Sequence, residues 1–244
     1  MSMTLFLCSS PTTPGTDCYV LDLRNHFIDE LKISLPEKIR LLFVASSPDE
    51  YEKTGMYADG VRQAFETAGF CVEKMTLLDR RNAGKTETLL KEHNTVFLAG
   101  GHVPTQNAFF ADIDLKGKLS GYNGVIIGCS AGTMNMAEVV YCPPEEPGEA
   151  SDPDFSRFLP GLGLTRLQVF PHWQYERTLV IDGLRNVEDI ALPDSVGHTF
   201  YALTDGSYIL SRNGKEEIRG EAYRIHNGYI TQISAEGETV LPEG

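Results

Sequence analysis

No run of apolar residues in the chain approaches the roughly 20 that a membrane-spanning helix needs, and the N-terminus lacks the basic region and cleavage site of a secretory signal. The expectation is a cytoplasmic protein with no membrane partner. Positive charge is scarce: 21 Lys and Arg stand against 34 Asp and Glu, for a net charge of -13. Nucleic acid and anionic membranes are bound by clustered Lys and Arg, so neither partner is expected. The five cysteines, Cys8, Cys18, Cys71, Cys129 and Cys142, form no CxxC pair, and an odd number fits a disulfide framework badly. They are expected to be reduced and mostly structural. HExxH and clustered His/Cys spacings are absent as well, so no metal and no cofactor are expected.

What is present has globular composition. Of 244 residues, 41% are apolar and 23% charged, which suits one α/β domain over residues 1–244. Short apolar β-rich runs alternate with segments of helical period, as a parallel sheet covered on both faces requires. The spacing predicts strands at Met3–Cys8, Arg40–Ala45, Phe70–Leu77, Thr95–Leu98, Val125–Ile127 and Leu167–Phe170. Helices are expected at Asp17–Lys32, Tyr51–Ala68, Lys85–Glu92, Gln106–Leu119, Ala131–Val139 and Gln174–Asp189. After Pro193 the pattern becomes short alternating runs, Thr199–Leu203, Tyr208–Ser211, Ile218–Arg224 and Tyr229–Ile233, with Asp205-Gly206, Asn213-Gly214 and Asn227-Gly228 as turn signals. The fold class expected is a doubly wound, mostly parallel flavodoxin-like α/β sheet with a C-terminal antiparallel extension. Cys142–Pro160, rich in Pro, Glu, Asp and Gly, reads as a long mobile loop.

The chemistry-bearing motif is Gly128-Cys129-Ser130-Ala131-Gly132. A nucleophile elbow needs an apolar strand, a tight turn flanked by small residues and then a helix, because the serine is held in a strained backbone conformation. Gly124–Ile127 supplies the strand and Ala131-Gly132-Thr133 a helix start, so Ser130 is the candidate nucleophile. Cys129 sits before the apex and reads as packing. Serine needs a base. Of the six histidines, His26 reads as a surface pair with Glu30, and His93, His198 and His226 read as solvated surface. His102 and His172 follow strand ends, where open α/β sheets bind ligands. His102 follows Gly100-Gly101, whose backbone N–H groups suit one half of an oxyanion hole, with the N–H of Ala131 as the other half.

Phe97-Leu98-Ala99-Gly100-Gly101, Gly128-Cys129-Ser130-Ala131-Gly132 and Phe170-Pro171-His172-Trp173, in that order, resemble the dipeptidase E and cyanophycinase family of serine peptidases, whose flavodoxin-like fold is related to the class I glutamine amidotransferase domain. The resemblance implies a Ser-His-acid peptidase acting on very small peptides, often with an N-terminal or side-chain-linked aspartate. It makes Ser130 the nucleophile, His172 the general base, and Gly101 with Ala131 the oxyanion donors. His102 would shape the substrate pocket, standing where relatives often have Asn. Arg177 would meet a substrate carboxylate, guanidinium and carboxylate pairing bidentately. Two acids compete to orient His172. Asp205 lies in a turn resembling the one that carries the acid in cyanophycinases; Glu145 lies at the spacing assigned in the dipeptidase branch. A strand-end turn holds a carboxylate more rigidly than a Pro/Glu loop, which favours Asp205.

Other classes stay open at this point. An esterase or lipase on the α/β-hydrolase fold would use the same elbow, and a non-catalytic small-molecule-binding protein would keep its shape without a working base. A glutamine amidotransferase would need Cys at the apex, where Ser130 stands. Homodimerisation is left open.

Overall fold

A computed structural model of the chain describes residues 3–13 and 20–242. The first half alternates strands and helices: β1 (Thr4–Cys8), α1 (Phe27–Ser34), β2 (Lys38–Val44), α2 (Tyr51–Thr67), β3 (Cys71–Leu78), α3 (Thr86–Glu92), β4 (Thr95–Leu98), α4 (Val103–Asp112), α5 (Leu115–Lys118), β5 (Val125–Cys129) and α6 (Ala131–Met134). The second half is mostly strand: β6 (Val139–Tyr141), β7 (Phe158–Pro160), β8 (Gln168–Phe170), α7 (Trp173–Glu176), β9 (Val180–Ile181), β10 (Leu184–Arg185), β11 (Thr199–Leu203), β12 (Tyr208–Arg212), β13 (Lys215–Arg219), β14 (Ala222–His226), β15 (Tyr229–Ser234) and β16 (Thr239–Val240).

The main sheet has eight strands in the order β16-β13-β12-β1-β5-β4-β2-β3. Its pairs from β1 to β3 are parallel, and β12 opens an antiparallel edge beside β1. β4 and β5 are continuous apolar runs because both faces are covered, and successive side chains go to opposite faces. Leu42, Val44, Val96, Leu98 and Ile126 pack with Phe109 and Phe110 of α4, while Leu41, Phe43, Phe97, Val125 and Ile127 pack with Leu31 of α1 and Val61 and Phe65 of α2. A second sheet, β15-β14-β11-β8, stands beside the first, with β11 parallel to β8.

Several sequence expectations are corrected. The helix expected at Asp17–Lys32 begins only at Phe27, after a short 3-10 turn in which Asn25 and His26 have positive φ; residues 14–19, with Cys18, lie outside the described residues. Gln106–Leu119 divides at Asp114, which turns left-handed (φ 48°) and caps α5 through Gly117 N–H. The elbow helix stops at Met134, where buried Asn135 reaches across to Gln106 and the Val103 carbonyl, and Val139 enters a strand. Gln174–Asp189 holds one helical turn, a β9/β10 ribbon turning at Asp182-Gly183, and the start of a π-helical stretch. That Asp-Gly pair was the available signal.

The run Ile218–Arg224 breaks at Gly220 (φ +96°), sending β13 to the main sheet and β14 to the second. Asn213-Gly214 and Asn227-Gly228 do close hairpins, with positive φ at all four residues. Asp205-Gly206 closes none, because β11 and β12 belong to different sheets. The segment after Cys142 is not an open loop. β6 and β7 pair at its base, Asp182 accepts from the N–H groups of Gly148 and Ala150, and Glu149 accepts from those of Glu145 and Glu146.

Candidate active site

β1, β5 and β4 are adjacent, so the chain segments leaving their C-terminal ends converge. β5 ends at Cys129, and Ser130 takes φ 51° and ψ −118° before α6 begins. Positive φ on a residue with a β-carbon costs on the order of 1–3 kcal/mol. The turn holds it by clamping to β1. Ser130 N–H lies 3.2 Å from the Cys8 carbonyl and 3.0 Å from that of Ser9, and the Thr133 hydroxyl donates to Cys8 at 2.8 Å. Behind the serine, Gly132 lies against β4 so closely that a β-carbon there would stand 2.2 Å from the Leu98 carbonyl oxygen. Only glycine fits.

The second sheet brings the other two groups. Phe170 of β8 is in register with Ala202 of β11, so the residues leaving these parallel strands emerge on one edge. His172 Nε2 lies 2.9 Å from Ser130 Oγ, and its Nδ1 lies 2.7 Å from Asp205 Oδ1. A carboxylate only accepts, so Nδ1 carries the proton and the Nε2 lone pair faces the serine hydroxyl. Asp205 is buried, its side chain 9% exposed against 30% for His172. Burial alone would raise its pKa, but hydrogen bonds from His172, Ser9 and Gln174 and the charge of a protonated His172 hold the carboxyl below its ordinary range.

Ser9, Gln174 and Arg24 escaped the sequence reasoning. Ser9 Oγ donates to Asp205 Oδ1 at 2.7 Å and accepts the His172 N–H at 2.8 Å, tying the pair to the end of β1. Gln174 Oε1 accepts Asp205 N–H at 3.1 Å, and Arg24, itself fixed by Asp22, donates to the Asp205 carbonyl at 2.8 Å. The signal for Ser9 was its place just past a buried strand; nothing in the sequence linked Arg24 to the site.

The remaining candidates separate clearly. Gly101 lines the same cavity as Ser130, and a β-carbon on it would meet Ser46 Oγ at 2.5 Å; the glycine against Ser130 itself is Gly100, whose β-carbon would stand 3.3 Å from that of the serine. Ala131 opens α6, so its N–H has no acceptor within the helix. His102 lines the same cavity, bonded to Thr105 Oγ1 and Glu149 Oε1. Glu145 is not bonded to His172. The residue is exposed; desolvation of its carboxyl, reinforced by the charges of Glu176 and Glu149 and opposed by the Val103 N–H, pushes it up to about 8. Arg177 is exposed, near Tyr223, and does not line the cavity. Cys129 is pushed up to about 12 by burial and by the charge of Asp205, so its thiol stays protonated.

The assignments of the other four histidines all change. His93 is buried at 3% exposure, with Nδ1 on the Leu89 carbonyl and Nε2 on Thr76, rather than solvated. His26 pairs with Asp29; Glu30 is buried and bridged by Arg212 and Arg219. His198 and His226 are half-buried, His198 stacked on Phe158 and His226 bonded to Thr199. Among the described residues, the one group with the donor types and spacing of a metal site is His102, Glu146 and Glu149.

Comparison with known proteins places the fold and the family. No curated protein matches the chain. Among solved structures, a peptidase from an acI-B1 Actinobacterium is similar with a TM-score of 0.62 at 15% identity, covering 98% of this chain and 96% of that one. A putative peptidase E protein from Listeria monocytogenes EGD-e aligns with a TM-score of 0.57 at 13% identity, covering 96% and 100%. At such identities the likeness concerns the fold. Among the described residues, no helix is long and apolar enough to cross a membrane. The sequence model of peptidase family S51 matches residues 5–218, from β1 through β13, and the protein therefore belongs to that family, the dipeptidase E family of serine peptidases.

Proposed function

We propose that the chain hydrolyses short peptides through an acyl-enzyme on Ser130, with His172 as general base and Asp205 as the acid that orients it. The observation that carries this reading is the unbroken hydrogen-bonded line from Ser130 Oγ through His172 to Asp205. His172 Nε2 takes the hydroxyl proton as Oγ attacks the scissile carbonyl, and the N–H groups of Gly101 and Ala131 receive the developing oxyanion. Collapse expels the amine, which takes its proton from His172 and leaves an ester on Ser130. A water then repeats the sequence, with His172 as base, and frees the acid. His102, fixed by Thr105 and Glu149, forms part of the cavity wall.

A preference for an N-terminal aspartate is inherited from the family resemblance alone. It needs a cation beside the acyl side chain, and Arg177 does not line the cavity. Labelling with a fluorophosphonate is the direct test of the serine: covalent modification at Ser130 is expected, and an unlabelled Ser130 in folded protein would move the chain to the binding-protein class.

The same mechanism sets the response to pH and to chelator. Activity should fall on the acid side, because a protonated Nε2 cannot accept the serine proton. Activity should survive EDTA, since no step uses a metal. An enzyme silenced by EDTA and restored by zinc would refute the mechanism and turn attention to His102, Glu146 and Glu149.

A further inference from the structure

We propose that the cavity beside Ser130 is an acyl-side subsite for a bulky apolar or aromatic side chain, so that this enzyme prefers peptides with such a residue, and not aspartate, before the scissile bond. The inference rests on the peptidase reading above and specifies its substrate. The strand order locates the subsite. In β1-β5-β4-β2, His172 is tied to the β1 side of Ser130 through Ser9; the cavity has Pro11, Thr12 and His172 at its β1 edge, and most of its lining lies on the β4 and β2 side, along those strand ends and α2. His172 must hand its proton to the leaving amine, so the leaving group lies on its side of the serine. The acyl residue faces the cavity.

Size and lining then select the side chain. The cavity measures about 630 Å³, within the roughly 300–1,000 Å³ of small-molecule sites and well beyond what an aspartate side chain fills. Its apolar floor is the edge of the core, Phe43, Val61, Phe97 and Ala99, each at most 8% exposed, with buried Thr54 and the exposed ring of Tyr57 from α2. Phe43 and Phe97 stack with ring centroids 5.5 Å apart and planes 7° from parallel. Charge argues in the same direction. Among the described residues lining the cavity, Lys53 is the one lysine or arginine, and it is held by Glu50 at 3.1 Å. Asp49, Glu50 and Glu146 also line it, so an incoming carboxylate would be desolvated beside acids with no free cation to receive it.

The test compares dipeptides X-Leu with X as Phe, Leu, Ala or Asp, by kcat/KM. In parallel, aminoalkyl phosphonate esters with benzyl, methyl or carboxymethyl side chains are compared by their rate of labelling Ser130. Phe and Leu are expected to exceed Ala by about tenfold to a hundredfold, the range that burial of such a side chain supports, with Asp below Ala. Val61→Phe, which fills the cavity from α2, should lower the Phe-to-Ala ratio by about tenfold or more; wild-type selectivity carries the test if that variant does not fold. A series in which Asp equals or exceeds Ala, or in which Phe gains nothing over Ala, overturns the subsite while leaving a labelled, hydrolytic Ser130 in place. If a simple fluorophosphonate fails to label Ser130, the peptidase reading itself fails and the subsite goes with it.

Discussion

Ser130→Ala is expected to lower kcat for peptide hydrolysis by roughly four to six decades while leaving the thermal midpoint close to that of the wild type. The hydroxyl is bonded to His172 Nε2, and the turn around it is held by backbone groups and by Thr133, none of which the substitution removes. His172→Ala should cost about as much, and the double variant no more than the worse single one, because in the proposed mechanism the two residues move one proton in one step. Steady-state kinetics with a melting curve on each variant gives the answer. Activity surviving within about tenfold of wild type in Ser130→Ala would remove the serine from the chemistry, since a lost nucleophile costs decades.

Asp205→Asn is expected to lower kcat by about three to four decades. The asparagine amide can donate to Nδ1, which favours the tautomer whose Nε2 carries a proton and cannot accept from Ser130. Glu145→Gln is the matched control: His172 is bonded to Asp205 and Ser130 and not to Glu145, so kcat there should change by less than about threefold. The reverse ranking would make Glu145 the orienting acid. A stability measurement separates the same pair. The carboxyl of Asp205 is held below its ordinary range in the folded protein, so the native state binds this proton more weakly than the unfolded chain does. Its stabilisation is present above the ordinary Asp value of about 4 and is lost as pH falls through the lower folded value. In Asp205→Asn that part of the acid limb should be missing, and the stability curve below pH about 4 flatter than in wild type.

Much of the architecture was legible because it rests on local regularities. Buried parallel strands betray themselves as continuous apolar runs, and Thr95–Leu98 was bounded as observed. The turn at Ser130 was legible for a related reason, since a strained apex leaves room only for small neighbours on both sides. Helices were less legible where a side chain distant in sequence ended them. Asn135 stops α6 by reaching residues on α4, and no period within residues 131–139 encodes that bond. His93 looked solvated because its flanks are polar, yet its ring is buried against Thr76 of the neighbouring strand. Long-range partners, not flanking residues, set that environment.

The sequence by itself determined the parallel α/β sheet, the strand–serine–helix turn at Ser130 and the delivery of a histidine from a strand end. These follow from apolar periodicity, from the sterics of small residues and from the order of motifs along one chain. Only the tertiary structure decided which acid stands behind His172. Asp205 and Glu145 are both carboxylates in turns, and the choice between them depends on the register of β8 against β11 and on Ser9 reaching over from β1. It likewise decided that Arg177 is not among the residues lining the cavity and that Phe43, Val61 and Phe97 are, because contacts between elements are set by how sheets and helices pack, and packing joins residues that no local pattern relates.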